Sequence, residues 1–247
     1  MKLLELETLF NIKLIRDKEF FREWQDDLPG LSESEKQQLD KVQAGYFNLL
    51  RYPPFLENIV KMAVLDPLLF IGDFYLSPYC VKSEKSIEIS ALDEDTIIKG
   101  SLDVLVLKDQ LWLMVIESKQ AAFSIEAGLA QILAYMLANP YRDKPTFGMI
   151  TTGGSFVFIK LVSGQQPQYA TSKIFELRNP DNELYDVLKI LKRYYSLNYL
   201  RTSKITFLCV LCVFVVKINT FTAQARCLCY SFMSVARFIF FRKQLSR

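Results

Sequence analysis

Two runs of apolar residues with a short polar break between them form the strongest pattern in the chain. IIKGSLDVLVL (97–107) and LWLMVIE (111–117) are nearly continuous in apolar side chains, and Lys108, Asp109 and Gln110 separate them. Apolar runs of this length around a tight turn predict a β-hairpin. Because the apolar residues are consecutive rather than alternating, we expect both faces of the hairpin to be covered, at the centre of a sheet.

Helical patterns precede the hairpin. Charged and apolar residues mix at roughly helical spacing near the N-terminus, which predicts a helical extension there. Ser32 followed by Glu35 is a capping-box signature for the start of a second helix. Pro53-Pro54 is expected to separate the second helix from a third, and Asp66-Pro67 to end the third. The predicted helices cover 1–28, 33–50 and 55–65.

Further elements flank the hairpin. SIEIS (86–90) alternates as a half-buried strand does, and Thr152-Gly153-Gly154 predicts a second hairpin. Strands are predicted at 86–90, 146–151, 155–162 and 172–177, and helices at 124–140, with Ser124 as N-cap, and 182–195. The predicted order is helices, three strands, a helix, two strands and a closing helix. This order is typical of an α/β or α+β fold with a central mixed sheet flanked by helices.

Charge divides the chain into two parts. Residues 201–247 hold eight Lys or Arg and no acid, so residues 1–200 hold the other 22 basic and all 27 acidic residues, a net charge of −5. Four of the five cysteines also lie in the tail, and Cys80 alone belongs to the main body. We therefore expect a domain over 1–200, a separate basic and apolar tail over 201–247, and a reducing cytoplasm as the location.

The composition also limits the chemistry. The chain has no histidine, which excludes His-dependent triads and every zinc site that uses His. Catalysis would have to depend on carboxylates, Lys, Tyr or Cys.

Three polar residues interrupt the hairpin. Asp103 stands in mid-strand, where an unpaired carboxylate is costly to bury. Glu117 and Lys119 are two apart on the next strand and point to the same face. The hairpin brings Asp103 and Glu117 together on that face, where two carboxylates repel unless a cation lies between them. Mg²⁺ prefers oxygen ligands and is the expected cation, with Mn²⁺ as a substitute. Singly, each residue is also explained as an ordinary surface or core position.

This order resembles the PD-(D/E)XK nuclease superfamily, in which an acid on one strand is followed, after a hairpin, by Glu-x-Lys on the next. Asp103 and Glu117-Ser118-Lys119 match it, while Leu102 replaces the usual proline. Gln131 and Tyr135, four apart on the following helix, resemble the Q-x-x-x-Y motif of the branch that contains the N-terminal nuclease domain of type I restriction R subunits. No Walker motif accompanies them, so the motor of a full R subunit is not expected in this chain.

The resemblance implies a restriction-endonuclease-like core and a function. It implies a Mg²⁺-dependent hydrolase of DNA phosphodiester bonds, of restriction or repair type. Glu57, Asp103, Glu117 and the Ser118 carbonyl would bind the metal. Asp103, Glu117 and Lys119 would be catalytic, and Gln131 with Tyr135 would position the DNA. Partner restriction subunits are a further expectation.

Other interpretations stay open at this stage. Glu57 fits an ordinary first-turn acid as well as a metal ligand. The whole chain fits a non-catalytic, nuclease-like subunit that binds nucleic acid or protein in a larger complex. The apolar run at 205–216 is shorter than a membrane span, so membrane contact through the tail is not favoured. A four-cysteine zinc site or translation beyond the domain's natural end are the alternatives for the tail, and we favour the latter.

Overall fold

An eight-stranded mixed sheet with helices on its faces forms the described part of the chain in this computed structural model, which covers residues 2–52, 56–90, 97–108, 111–118 and 125–197. The strands are β1 (Lys13–Leu14), β2 (Tyr79–Ser90), β3 (Ile97–Lys108), β4 (Leu111–Ser118), β5 (Thr146–Thr151), β6 (Ser155–Val162), β7 (Gln168–Thr171) and β8 (Phe175–Glu176). The helices are α1 (Leu3–Phe10), α2 (Glu33–Leu49), α3 (Glu57–Val60), α4 (Asp66–Ile71), α5 (Ile125–Leu137) and α6 (Leu184–Leu197). These elements confirm the predicted mixed α/β class.

The sheet runs in the order β1-β7-β6-β5-β4-β3-β2, with β8 paired to β6. β3 and β4 form the predicted antiparallel hairpin, in which Val104 lies opposite Ile116. β4 also pairs in parallel with β5, so four strands of the main path lie beyond it on one side and two on the other. Val104–Leu107 and Met114–Ile116 are buried, as their continuous apolar sequence predicts.

Helices pack on both faces of the sheet through residues of the central strand β5. On one face α5 approaches so closely that a Cβ on Gly148 would lie 2.7 Å from Met136 Sδ and 3.0 Å from Ile132 Cδ1. On the other face Phe147 stacks on Tyr194 of α6, with ring centroids 4.3 Å apart. Phe147 and Gly148 are neighbours in a strand, so their opposite contacts define a helix–sheet–helix arrangement.

The N-terminal segment departs from its predicted helix. Of the described residues 2–28 only Leu3–Phe10 is helical, because Asn11 takes a left-handed conformation (φ 50°) that ends α1. The chain then joins the sheet edge, where the Lys13 N–H donates to Pro167 O and the Ile15 N–H to Tyr169 O. The helical spacing of this stretch was therefore misleading, because a partner strand far along the chain determines its structure.

The third predicted helix continues where it was expected to end. A π-helical turn, Lys61–Leu65, joins α3 directly to α4, and Pro67 lies in the first turn of α4. In this wider turn the Asp66 N–H donates to Lys61 O, five residues back. The local change of hydrogen-bond register lets the helix continue past a proline, which lacks an N–H of its own.

Chain contacts group Met1–Tyr195 into one compact unit, separate from Ser196–Arg247. Of the second unit only the last two residues of α6 are described, so the predicted tail over 201–247 lies outside the described residues. None of the helices in the described ranges combines the length and the apolar content of a membrane-crossing segment.

The close packing of α5 on β5 gives a test of the fold. We expect Gly148→Ala to destabilise the protein by about 1–3 kcal/mol, because the added methyl meets Met136 and Ile132 in a packed core. Gly45→Ala is the matched control, since Gly45 is exposed in α2 with open space around its Cβ position. The control change should stabilise the protein by about 0.5–1 kcal/mol. Urea denaturation measures both, and equal effects of the two variants would contradict the packing described here.

Candidate functional site

The Asp103 carboxylate links the two strands of the central hairpin. Just past the Val104–Ile116 pair, its Oδ2 atom accepts hydrogen bonds from the Ser118 N–H at 2.7 Å and the Ser118 hydroxyl at 3.1 Å. The side chain of Asp103 is only 16% exposed. A carboxylate with so little access to water needs hydrogen-bond donors. Because one of the two donors is a backbone N–H, the position of the Asp103 carboxylate relative to the neighbouring strand is fixed.

A lysine that the sequence did not single out supplies the countercharge. Lys61 Nζ lies 3.0 Å from Asp103 Oδ1 and 3.1 Å from Glu57 Oε1. Burial lowers the pKa of Lys61, but the hydrogen bonds and charges of Asp103 and Glu57 outweigh burial and leave the pKa above its ordinary value. Lys61 is therefore a cation at neutral pH, and it connects the helix before the sheet to the middle of the hairpin.

Packing around the neighbouring Val60 holds this lysine in place. Val60 is fully buried, and a Cβ on Gly153 would lie 3.2 Å from Val60 Cγ1. Gly153 has φ 82°, a conformation that suits glycine, so the β5–β6 turn can lie close under the helix. Lys61 comes next, at the start of the π-helical turn.

The ion pair opens onto a cleft of about 530 Å³. Lys61 and Asp103 line it together with Tyr75 and with Cys80, the exposed free cysteine of β2. Burial and the nearby Asp66 carboxylate raise the pKa of Tyr75 to about 12, so its hydroxyl stays protonated and donates to Asp66 at 3.3 Å. The volume lies in the range of small-molecule sites, and the lining combines charged and aromatic side chains.

Glu117 and Ser118 end strand β4 beside Asp103. Glu117 is 1% exposed and Ser118 is fully buried. Because Val104 lies opposite Ile116, continuing the register places Asp103 opposite Glu117, on the same side of the antiparallel pair. The hairpin thus brings Asp103 and the Glu117-Ser118 dipeptide together.

Gln131 and Tyr135 interact with each other on α5. The Gln131 side-chain amide donates to the Tyr135 hydroxyl at 2.8 Å. The Tyr135 ring lies against Gly100 on β3, where a Cβ would be 2.7 Å from Tyr135 Cε1. Tyr135 is 6% exposed and belongs to the core, whereas Gln131 is partly exposed. Gln131 is therefore the member of the pair with access to solvent, and the buried Tyr135 holds its side chain through this hydrogen bond.

The structure does not describe every predicted site residue. Lys119 and the N-cap Ser124 lie outside the described residues. Within the described residues, no group of three or more His, Cys, Asp or Glu side chains is close enough to hold a metal ion. Instead, the cation between Glu57 and Asp103 is Lys61, whose spacing of four residues from Glu57 on a predicted helix was the available signal.

No protein-family model matches the chain, and no curated protein matches it significantly.

The role of Asp103 as a structural anion can be tested without any metal. In the presence of a chelator, we expect Asp103→Asn to lower the free energy of unfolding by about 1–3 kcal/mol, because Lys61 loses a half-buried countercharge. The control is Asp186→Asn, which removes the more exposed carboxylate paired with Lys189 at 2.9 Å. This control should change the free energy of unfolding by only about 0.5 kcal/mol, the scale of an exposed ion pair. A more stable Asp103→Asn protein would show that Lys61 does not compensate the Asp103 charge.

Proposed function

We propose that the protein is a Mg²⁺-dependent nuclease that hydrolyses DNA phosphodiester bonds. The observation that carries the proposal is the contact of Lys61 with both Glu57 and Asp103. Lys61 and Asp103 line a cleft, and Ser118 of the Glu-x-Lys strand is bonded directly to Asp103. These residues come from a helix before the sheet and from two strands of a hairpin. Plain core packing gives no reason to gather them there.

The order of elements adds support from the PD-(D/E)XK resemblance. An acid on a helix precedes the sheet (Glu57), an acid follows on a strand (Asp103), and Glu117 lies on the next strand of a hairpin. Gln131 and Tyr135 then occupy the helix after it, with Tyr135 packed on the Asp103 strand. This is the sequence of positions that the superfamily uses.

The donors are of the type that a divalent cation prefers, and the three carboxylates would have to come closer together than they lie in the structure to hold one. Glu57, Asp103, Glu117 and the Ser118 carbonyl offer only oxygen atoms, which Mg²⁺ and Mn²⁺ prefer. The ammonium of Lys61 between Glu57 and Asp103 indicates that this position attracts a positive charge. When bound, a divalent ion there would activate a water molecule and polarise the scissile phosphate.

The residues of the chain have separate tasks in the proposed reaction. Ser118 orients the Asp103 carboxylate through two hydrogen bonds. Lys119, two residues after Glu117, would neutralise the charge that grows on the phosphate in the transition state. Gln131, held by Tyr135, would hold the DNA backbone.

The setting of the reaction is part of the proposal. We expect the enzyme to work in the cytoplasm, where its single main-body cysteine stays reduced. Residues 1–200 have a net charge of −5, which opposes tight binding to DNA on its own. A partner subunit of a restriction system would supply the missing affinity.

The contact of Lys61 with both Glu57 and Asp103 also favours a second candidate function. A pair of carboxylates that already shares a lysine ammonium needs no metal to hold it in place, as a non-catalytic nuclease-like binding subunit requires. The two candidates differ in one respect, which is cleavage.

A cleavage assay separates them. Purified full-length protein is incubated with Mg²⁺ or Mn²⁺ and with linear, circular and single-stranded DNA. We expect cleavage by the parent, and a loss of about 10²–10³-fold in Asp103→Ala, Glu117→Ala and Lys119→Ala, the scale seen when charge stabilisation is removed. Asp186→Ala on α6 is the matched acidic control and should cut like the parent.

Two outcomes would count against the assignment. Parent-like cleavage by Asp103→Ala and Lys119→Ala would show that the site lies elsewhere. DNA binding without cleavage under every condition would favour the binding subunit.

A further inference from the structure

The cation between Glu57 and Asp103 belongs to the chain itself. Lys61 Nζ contacts Asp103 Oδ1 at 3.0 Å and Glu57 Oε1 at 3.1 Å. The proposed function assigns these same two carboxylates to a divalent metal. A metal ion that binds both oxygens competes with the ammonium for the space between them, because each would contact the same two atoms.

Charge makes the competition stronger. An ammonium and a divalent cation at adjacent positions repel each other, most strongly where water screens little. The Lys61 side chain is only 22% exposed, so screening is weak at this position. Asp103 Oδ2 is already occupied by Ser118, so Oδ1 is the oxygen for which the two cations compete. Occupancy by Lys61 therefore lowers the affinity of the site for metal.

The Lys61 side chain has space to move away from the two carboxylates. The side chain of this lysine is a flexible stem. It lines the cleft of about 530 Å³, together with Tyr75 and Cys80. Its backbone stays fixed, since Val60 is packed against Gly153 and the Lys61 carbonyl accepts the π-helical hydrogen bond from Asp66. The ammonium can thus leave the carboxylates while its backbone stays in position.

We propose that Lys61 is a resident competitor of the metal, which keeps Glu57 and Asp103 paired in the metal-free protein and moves into the cleft when a divalent cation binds. This inference rests on the proposed metal site. Lys61 is a positioning residue in this scheme, because it acts through the two carboxylates. Its removal should strengthen metal binding while weakening the metal-free fold.

The test measures Mn²⁺ binding directly, through the electron paramagnetic resonance signal of free Mn²⁺ in titrations of the full-length chain. We expect Lys61→Met to bind Mn²⁺ about tenfold more tightly than the parent, a difference of about 1.4 kcal/mol. Lys61→Gln, which keeps a hydrogen-bond donor but no charge, should bind more tightly as well and guards against misfolding of the methionine variant. Lys189→Met is the matched control, since Lys189 is also a helical lysine paired with an acid, at 2.9 Å, and should leave the affinity unchanged.

Melting temperatures give a second readout. Without metal, Lys61→Met should melt below the parent, and its rise in melting temperature on adding Mn²⁺ should be larger than the parent's. Neither shift is expected for Lys189→Met.

The outcomes distinguish this inference from the proposed function. If Asp103→Asn weakens Mn²⁺ binding but both Lys61 variants bind like the parent or more weakly, the competitor role is wrong and the metal site stands. If neither the parent nor the Lys61 variants bind Mn²⁺, the metal site is wrong and this inference falls with it. Binding by the Lys61 variants and not by the parent would support the inference in its strongest form.

Discussion

The half-buried carboxylate of Asp103 is the constraint on which the arrangement of the site depends. One oxygen is held by Ser118 of the adjacent strand, and the other by a lysine from the helix before the sheet. A charge with this little access to water is stable only with such partners. The hydrogen bonds and the ion pair of the Asp103 carboxylate therefore connect three segments: the helix before the sheet, the Asp103 strand and the strand that carries Glu117.

Close contacts at glycines define the geometry around that carboxylate. Gly153 lets the β5–β6 turn lie under Val60, one residue before Lys61. Gly100 leaves room for the Tyr135 ring beside the strand that carries Asp103, and Gly148 lets α5 lie on β5. An added Cβ would lie within 3.0 Å of a side chain at Gly100 and Gly148, and it would be crowded against Val60 at Gly153. The positions of the charged groups thus depend on apolar packing as well as on electrostatics.

Local sequence patterns predicted the parts of the fold that local forces determine. The Ser32–Glu35 capping box forms at the start of α2, and both predicted hairpins are present. Residues 11–28 were wrongly predicted as helical, since their strand pairs with β7 far along the chain. The continuation through Pro67 was also missed, because a π-helical turn leaves no clear mark in the sequence. For the site, Asp103 and Glu117 could be found from their unusual positions in apolar strands, whereas Glu57 on its helix was proposed only through the family resemblance. Lys61 had only a weak signal, its spacing of four residues from Glu57, because a lysine on a helix is ordinary until its partner across the fold is known.

The main proposal is that the Glu57 and Asp103 carboxylates, with Glu117 on the neighbouring strand, bind a divalent cation once the Lys61 ammonium has left them. Anomalous diffraction from crystals of the full-length protein grown with Mn²⁺ tests it most directly, because the Mn²⁺ signal locates the ion independently of activity. We expect an anomalous peak between the Asp103 and Glu57 carboxylates, within bonding distance of Asp103, with the Lys61 side chain turned toward the cleft. A structure at saturating Mn²⁺ with no peak there, and with Lys61 still bridging the two carboxylates, would contradict it.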